Sequence, residues 1–266
     1  MLQTIQKIGP LLDLFTIEHP EWGVSEAAEA LGVPRSSAHA LMTSLVDTGL
    51  LTTSGRGRYR LGWRIVELYE TMRAGTNLRS LAAPVLRALN EETGETTNLA
   101  VLVRGEVLYL DKFAARHQVS VAGLRVGSRL APHCCALGKA LLAHASDRQL
   151  AQALDSAPLR RFTEHTITDR DVLLAELAEV RATGVAHETG EVVPAVACVA
   201  APVRDAYGVV VGAISLSGPE FRVLPKREEL DRAVKGAAAQ IGRRISEAEG
   251  LPVVTPFDDP TRLGTD

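Results

Sequence analysis

Apolar residues recur at helical spacing in three segments near the start of the chain. The segments are TIQKIGPLLDLFTI (4–17), VSEAAEALGV (24–33) and PRSSAHALMTSLVDTGLL (34–51). Each places apolar side chains at intervals of three and four residues, which is typical of amphipathic helices. Pro10 lies inside the first segment and weakens or kinks the helix there. The pattern predicts three short helices.

The second and third helices follow each other closely. Ser25 is a good N-cap for the second helix, Gly32 ends it, and Pro34 suits the first turn of the third. Two helices joined by a Gly-Val turn have the spacing of a helix-turn-helix. The third helix would present short polar and basic side chains to DNA bases near its start, namely Arg35, Ser36, Ser37 and His39.

A β-hairpin is predicted in LLTTSGRGRYRLG (50–62), where two short strands flank a Ser-Gly-Arg-Gly turn. Arg56 and Arg58 would lie at its tip, where they could contact phosphates or a minor groove. Residues 35–64 hold five arginines and one acid, a local charge of +4 in a chain whose net charge is −3. Local charge matters more for DNA binding than the mean. We predict a winged helix-turn-helix DNA-binding domain over residues 1–62, the alternative being a solvated hairpin beside an ordinary helical pair.

The segment WRIVELYETMRAG (63–75) is amphipathic and carries more apolar surface than a solvent-facing linker needs. We expect it to pack against a partner subunit or against the winged domain. A Gly-Thr-Asn run then breaks the helix. The pattern therefore predicts a linker helix over residues 63–77 and at least a homodimer.

From residue 78 onwards, hairpins of strands are separated by helices, the first hairpin with alternating strands and the second with strongly apolar ones. The first helix contains Pro84, and two pairs of strands lie in TTNLAVLVRGEVLYLDKFAA and in VACVAAPVRD with GVVVGAISLSG. The remaining elements are a strand in 118–131 and helices at 136–145, 147–154, 169–183 (with Thr168 as N-cap) and 226–249. This order predicts an α+β sensor-like domain over residues 78–249, not a doubly wound parallel sheet. The tail, residues 250–266, is rich in proline and aspartate and is predicted to be disordered.

The composition is that of an ordinary soluble globular protein, with 46% hydrophobic and 23% charged residues. No apolar run reaches the roughly 18 residues of a membrane-spanning helix, and the N-terminus has no signal-peptide pattern. Three cysteines cannot all pair, which fits a reducing compartment. We expect a cytoplasmic protein that does not contact a membrane.

The stretch HCCALGKALLAH (133–144) concentrates the candidate chemistry. A phosphate-binding loop needs a glycine about five residues before the Gly-Lys pair and a Ser or Thr after it, but His133 and Ala140 hold those positions. A cysteine nucleophile needs a base within reach and a third group to orient the base. No second signature supports one, so we expect no enzymatic activity.

A metal site is the alternative interpretation of this stretch. Six side chains of suitable chemistry could converge on one cavity, namely His133, Cys134, Cys135, His187, Glu188 and Cys198. No C-x-x-C pair supplies two ligands at fixed spacing, so we assign no metal and no cofactor. Otherwise the adjacent cysteines pack as small hydrophobic residues.

The favoured interpretation is the edge of a small-molecule pocket. Backbone N–H groups at the start of a helix over Ala136, Leu137 and Gly138 would be unpaired and would favour an anion. Ser215 and Ser217 lie two apart on a strand and would point to the same side. A mainly apolar pocket with a few polar groups suits a small carboxylate or a phenolic acid.

The order of winged helix, linker helix, HCCALGKALLA motif and late CVAAPVRD and SLSGP stretches resembles the IclR family of bacterial transcription regulators. The resemblance extends from about Thr4 to Glu247. It implies a GAF-like domain that binds a small organic or aromatic acid, and dimers or tetramers on a palindromic operator in double-stranded DNA. The effector-binding residues that it implies are Ala136, Leu137, Gly138, Glu188, Cys198, Ser215 and Ser217.

This sequence departs from the family pattern at three places. The acidic run reads HETGE, so that only Glu188 and Glu191 remain, and Ala195 and Ala40 replace the usual glycine and basic residue. We expect a ligand-responsive transcriptional repressor, with a metal-sensing regulator of the same architecture as the alternative.

Overall fold

The computed structural model describes residues 3–55, 57–75, 78–115, 124–155 and 158–248. It separates into two compact units, Met1–Ala74 and Gly75–Asp266. Arg56 and the tail at 250–266 lie outside the described residues. No described helix is both long enough and apolar enough to span a bilayer.

The first unit is a small helical domain with a three-stranded antiparallel sheet in the order β1-β3-β2. Its elements are α1 (Gln3–Asp13), β1 (Glu21–Gly23), α2 (Val24–Leu31), α3 (Arg35–Asp47), β2 (Leu51–Thr53), β3 (Arg58–Leu61) and nearly all of α4 (Arg64–Gly75). The core consists of Leu11, Ala27, Leu41, Met42, Leu45, Leu51 and Tyr59. The predicted winged helix-turn-helix is thus present. The sequence did not indicate strand β1, because three residues are too few to show alternation.

The turn between α2 and α3 is made as predicted, but α2 begins differently. Gly32 ends α2 in the left-handed region with φ +61°, where a glycine is favoured. The N-cap is Gly23, not Ser25, because the Glu26 carboxylate turns back and accepts the Gly23 N–H at 2.9 Å.

The second unit is built on a six-stranded sheet in the order β6-β5-β4-β9-β8-β7, in which every neighbouring pair is antiparallel. The strands are β4 (Thr96–Val103), β5 (Glu106–Phe113), β6 (Arg129–Leu130), β7 (Ala186–Thr189), β8 (Val196–Arg204) and β9 (Val210–Pro219). The helices are α5 (Leu78–Thr93), α6 (Ala136–Leu142), α7 (Asp147–Leu154), α8 (Arg170–Thr183), α9 (Glu220–Val223) and α10 (Arg227–Glu247).

Several predicted boundaries in this unit were wrong. Within the predicted strand at 118–131, the described part contains only the short β6, and part of HETGE is the edge strand β7. The N-cap of α8 is Asp169 rather than Thr168, because the Asp169 carboxylate accepts the N–H groups of Asp171 and Val172 at 2.9 and 3.0 Å.

The sheet lies between two helical layers. On one face, Leu99, Val101, Val199, Ile214 and Leu216 pack in one core with residues of α5 and α10. On the other face, small residues of the alternate positions, among them Ala100, Ala200 and Ala213, pack in a second core with α6, α7 and α8. This arrangement confirms the predicted α+β fold with a GAF-like second domain. Asn98 of β4, Cys198 of β8 and Ser215 and Ser217 of β9 therefore lie on the α6 side. Thr97 of β4 faces α5, where its Oγ1 donates to the Leu86 carbonyl oxygen at 3.0 Å.

Candidate functional site

Strand register places five polar side chains in a row beneath α6. Asn98 lies opposite Ser215, Ser217 lies opposite Cys198, and Cys198 lies opposite Glu188. Directly opposed residues point to the same face of a sheet. Asn98 Nδ2 donates to Ser215 Oγ at 3.1 Å, and Cys198 Sγ donates to Ser217 Oγ at 3.3 Å. The row is therefore a connected polar surface, and we call it the polar row.

A cavity of about 30 Å³ lies between the polar row and the start of α6. Besides the polar row, it is lined by Thr96, Tyr109, Lys112, Leu124, Leu130, Cys135, Ala136, Leu137, Val192, Val193 and Val196. A cavity of this volume is far smaller than the roughly 300 to 1,000 Å³ of typical small-molecule pockets. A ligand that needs a pocket of typical size therefore requires the walls to move apart.

The structure brings six of the seven predicted effector residues to this cavity; the seventh, Gly138, is not among the lining residues. The Gly138 N–H was expected to be unpaired, and this was wrong, since it donates to Cys135 Sγ at 3.4 Å. A Cβ atom on Gly138 would lie 2.1 Å from the carbonyl oxygen of Pro132. The glycine is thus required by close backbone packing.

Sequence reasoning missed four polar lining residues, namely Thr96, Asn98, Tyr109 and Lys112. Alternation could not mark Thr96 and Asn98, because Thr97 between them is polar as well. It could not mark Lys112 either, because a β-bulge changes the face on which Lys112 lies.

The Glu188 carboxyl group is buried at the β7 end of the polar row. Its Oε1 accepts the Glu191 N–H at 2.6 Å. Burial raises the pKa of Glu188, and hydrogen bonds from Cys198, Glu191 and Val192 oppose this only in part. Glu188 is therefore protonated more readily than an exposed glutamate, and a protonated carboxyl group can donate a hydrogen bond.

A buried lysine lies behind the cavity wall. The side chain of Lys139 on α6 is 1% exposed and pairs with Glu176 of α8 at 2.7 Å and with Glu191. Thr166 Oγ1 also donates to the Glu191 backbone oxygen at 2.7 Å. Burial lowers the pKa of Lys139, but the two carboxylates outweigh it and the pKa is raised. This ion cluster of Lys139, Glu176 and Glu191 ties the β7–β8 loop, which carries Val192 and Val193, to two helices.

The cysteines do not have the environment of a nucleophile. Burial raises the pKa of Cys134 to about 12, and it raises the pKa of Cys135 and Cys198 as well. His133 Nε2 lies 3.0 Å from the Arg160 carbonyl oxygen. In the described part of the chain, no three His, Cys, Asp or Glu side chains are grouped so as to hold a metal ion. Among the described residues, the geometry thus supports neither a cysteine nucleophile nor a metal site.

On the first unit, Arg35, Ser36 and His39 are exposed at the start of α3, and Ser37 is half-buried. Arg58 differs from the expectation of a free arginine at the hairpin tip. Its guanidinium donates to the Glu26 carboxylate at 3.2 Å and to the Glu21 carbonyl oxygen at 2.9 Å. DNA would have to compete with these partners for Arg58.

Comparison with known proteins agrees with this architecture. Residues 71–243 match the family model described as bacterial transcriptional regulator IclR C-terminal, and residues 4–55 match the IclR helix-turn-helix domain. HTH-type transcriptional regulator XynR of Escherichia coli (strain K12) is 30% identical over 258 residues, which cover 95% of this chain and 99% of that protein. The transcriptional repressor IclR of the same strain is 28% identical over 229 residues, covering 85% and 83%.

A solved structure has the same fold over nearly the whole chain. It is an IclR homologue from Microbacterium hydrocarbonoxydans complexed with 4-hydroxybenzoate, with a TM-score of 0.79 and 29% identity, covering 91% of this chain and 99% of that one. The chain therefore belongs to the IclR family of bacterial transcriptional regulators, and it is a DNA-binding regulator of transcription.

Proposed function

We propose that this regulator is a repressor whose DNA binding is controlled by a small organic or aromatic acid bound at the polar row. The observation that carries the proposal is the polar row itself, which is buried in an otherwise mainly apolar cavity. Pockets for small metabolites combine apolar walls with a few placed polar groups.

The chemistry of the row suits a ligand with oxygen atoms at more than one position. Asn98 and the two serines offer neutral donors and acceptors, while the Glu188 carboxyl group and the Cys198 thiol lie at the other end. The Microbacterium relative binds 4-hydroxybenzoate, which carries oxygen at both ends. Since the cavity is about 30 Å³, an aromatic acid requires outward movement of wall residues such as Val192 and Val193.

For DNA, we propose that α3 contacts base edges through Arg35, Ser36, Ser37 and His39, and that Arg56 and Arg58 contact the backbone. Side chains at the start of a recognition helix reach the major groove, whereas hairpin arginines bind phosphates without reading sequence. The repressor role is proposed from the relative described as transcriptional repressor IclR. A regulator of chromosomal genes in bacteria acts in the cytoplasm.

We also propose that the chain is a homodimer, or a tetramer built from dimers, on a palindromic operator. The α4 helix exposes apolar side chains: Val66 is 50% exposed and Leu68 is 49% exposed. A second copy that buries this face would place two α3 helices on one operator, as two-fold symmetric half-sites require.

The effector half is tested by thermal shift of the purified protein with a panel of organic and aromatic acids, with and without a chelator. A ligand at about 100 times its Kd adds roughly 2.7 kcal/mol of stability. We expect stabilisation by at least one acid, lost in Ser215→Ala, and release of operator DNA by the same acid in a mobility-shift assay. Stabilisation by zinc alone, reversed by the chelator, would contradict the proposal.

The DNA half is tested by comparing two sets of variants on operator and on random DNA. Arg56→Ala should weaken binding equally on both DNAs, and Arg58→Ala should do so less, because Arg58 already has carboxylate partners. Ser36→Ala and Ser37→Ala should alter base preference. Equal losses on both DNAs from all four variants would refute this division.

A further inference from the structure

Lys112 is the one basic side chain among the described residues that line the cavity. Its Nζ donates to the Leu124 carbonyl oxygen at 2.7 Å, and within the described ranges it forms no ion pair. An ammonium group has three N–H donors, and within the part of the chain that the structure describes this is the one hydrogen bond that Lys112 Nζ donates. Burial lowers the pKa of Lys112, as expected of an ammonium group without a carboxylate neighbour.

A β-bulge brings Lys112 to the cavity. Lys112 and Tyr109 are three residues apart on β5, so a regular strand would point them to opposite faces. The register instead shifts between Leu99 and Ala100 of β4: Leu99 pairs with Asp111, and Ala100 pairs with Tyr109. The extra residue restores Lys112 to the α6 side. Bulges commonly re-aim a side chain next to a functional site.

The same bulge points the Asp111 carboxylate away from the Lys112 ammonium group, although Asp111 Oδ1 accepts the Lys112 backbone N–H at 3.0 Å. Asp111 pairs with Arg79 of α5 at 3.3 Å on the other side of the sheet. The acidic residue nearest to Lys112 in sequence therefore forms its ion pair with Arg79, and the Lys112 ammonium group faces the cavity. On the far side of the cavity stands Glu188, on β7, with strands β4, β9 and β8 between the two.

The cavity therefore has a basic end at Lys112 and an acidic end at Glu188. A carboxylate beside Glu188 would meet a buried acidic group, whereas a carboxylate beside Lys112 would meet an ammonium group that pairs with no carboxylate of the described residues. Charge-assisted hydrogen bonds are about twice as strong as neutral ones. A hydroxyl or carbonyl group at the ligand's other end would then face the thiol of Cys198, Ser217 and Glu188.

We propose that Lys112 binds the carboxylate of the effector, and that it decides the preference of the pocket for acids over neutral analogues. This inference rests on the proposed function, since it assigns an orientation to the acid in the pocket. Two ammonium N–H groups donate to the ligand carboxylate, and the polar row binds the opposite end. Lys112 is thereby a specificity-determining residue of the effector pocket.

The test uses matched pairs of acid and amide on the full-length protein: lactate and lactamide, benzoate and benzamide, 4-hydroxybenzoate and 4-hydroxybenzamide, together with a wider panel of keto, hydroxy and dicarboxylic acids. Thermal shift finds the binding acids, and calorimetric titration gives their Kd values. The variants are Lys112→Met, Lys112→Gln and Lys112→Arg. Lys235→Met removes the same charge from an exposed position of α10.

We expect the binding acid to exceed its amide in affinity by about 10- to 100-fold in the wild type, as for loss of one hydrogen bond to a charged group. Lys112→Met and Lys112→Gln should abolish this preference, Lys112→Arg should retain most of it, and Lys235→Met should be unchanged. The melting temperature of each unliganded variant shows that it is folded.

The outcomes separate the two proposals. An acid that binds the wild type and both neutral variants with equal affinity overturns the role of Lys112 and leaves the proposed function standing. A panel in which no acid stabilises the wild type overturns the proposed function, and the assignment of Lys112 with it. Equal loss in Lys235→Met would show a general charge effect and would also overturn the assignment.

Discussion

Replacing Lys139 by methionine tests whether the buried ion cluster holds the second unit together. Methionine keeps much of the side-chain volume and removes the charge. In the native protein Lys139 is the cation for Glu191, whose side chain is only 8% exposed, and for Glu176, whose side chain is 28% exposed. The variant leaves Glu191 buried beside Glu176 without a cation.

The expected cost is about 3 to 5 kcal/mol of unfolding free energy, the range found when one partner of a buried ion pair is removed. Glu191 accounts for most of it, because solvent screens the more exposed Glu176. The total unfolding free energy of a typical domain is only about 5 to 15 kcal/mol, so the loss should be large but measurable.

The cost should depend on pH. Burial raises the pKa of Glu191, whereas Lys139 lowers it, so the variant raises it further. A carboxyl group whose native-state pKa is raised binds its proton more tightly in the folded state, and unfolding free energy falls as pH rises through that pKa. The penalty of Lys139→Met should therefore be larger at pH 8 than at pH 5. The neighbouring Glu176 and Glu188 reinforce this direction.

The assay is urea denaturation followed by circular dichroism at the two pH values, with Lys235→Met as the charge-matched control. The double variant Lys139→Met with Glu191→Gln should be more stable than Lys139→Met alone, since the more deeply buried of the two carboxylates no longer lacks a cation. A single variant that loses less than about 1 kcal/mol at pH 8, or a double variant no better than the single, would refute the reasoning.

Three further predictions follow from backbone and surface geometry. Ala195→Gly should raise the unfolding free energy by about 0.5 to 1 kcal/mol, because Ala195 has φ +61° in the β7–β8 loop; an unchanged or lower urea midpoint would mean that no strain is relieved. Gly138→Ala should cost about 1 to 3 kcal/mol through overpacking, whereas Gly236→Ala, whose Cβ meets nothing within 4 Å, should cost none in the same denaturation assay. Val66→Lys on α4 should dissociate the homodimer in sedimentation velocity while Val172→Lys, 54% exposed on α8, leaves it intact; a dimer that survives Val66→Lys places the interface elsewhere.

Much of the fold could be predicted from local patterns. Helical spacing over 35–47, alternation in the first long hairpin and the apolar runs of the second are properties of neighbouring residues. The structure contains the corresponding elements as α3 and as β4, β5, β8 and β9. Short edge strands such as β7 could not be predicted, since a strand of four residues shows hardly any period and forms because β8 offers a partner.

The sequence by itself determined the two-domain order, the α+β class and the location of Ser215 and Ser217 on the same face of one strand. These features depend on spacing along the chain. Only the tertiary structure decided where charges meet. Lys139 lies 37 and 52 residues from its two carboxylates, and the bulge in β5 turns Lys112 into the cavity. Charge pairing and strand register depend on contacts between distant segments, and such contacts exist only once the sheet and its helices have packed.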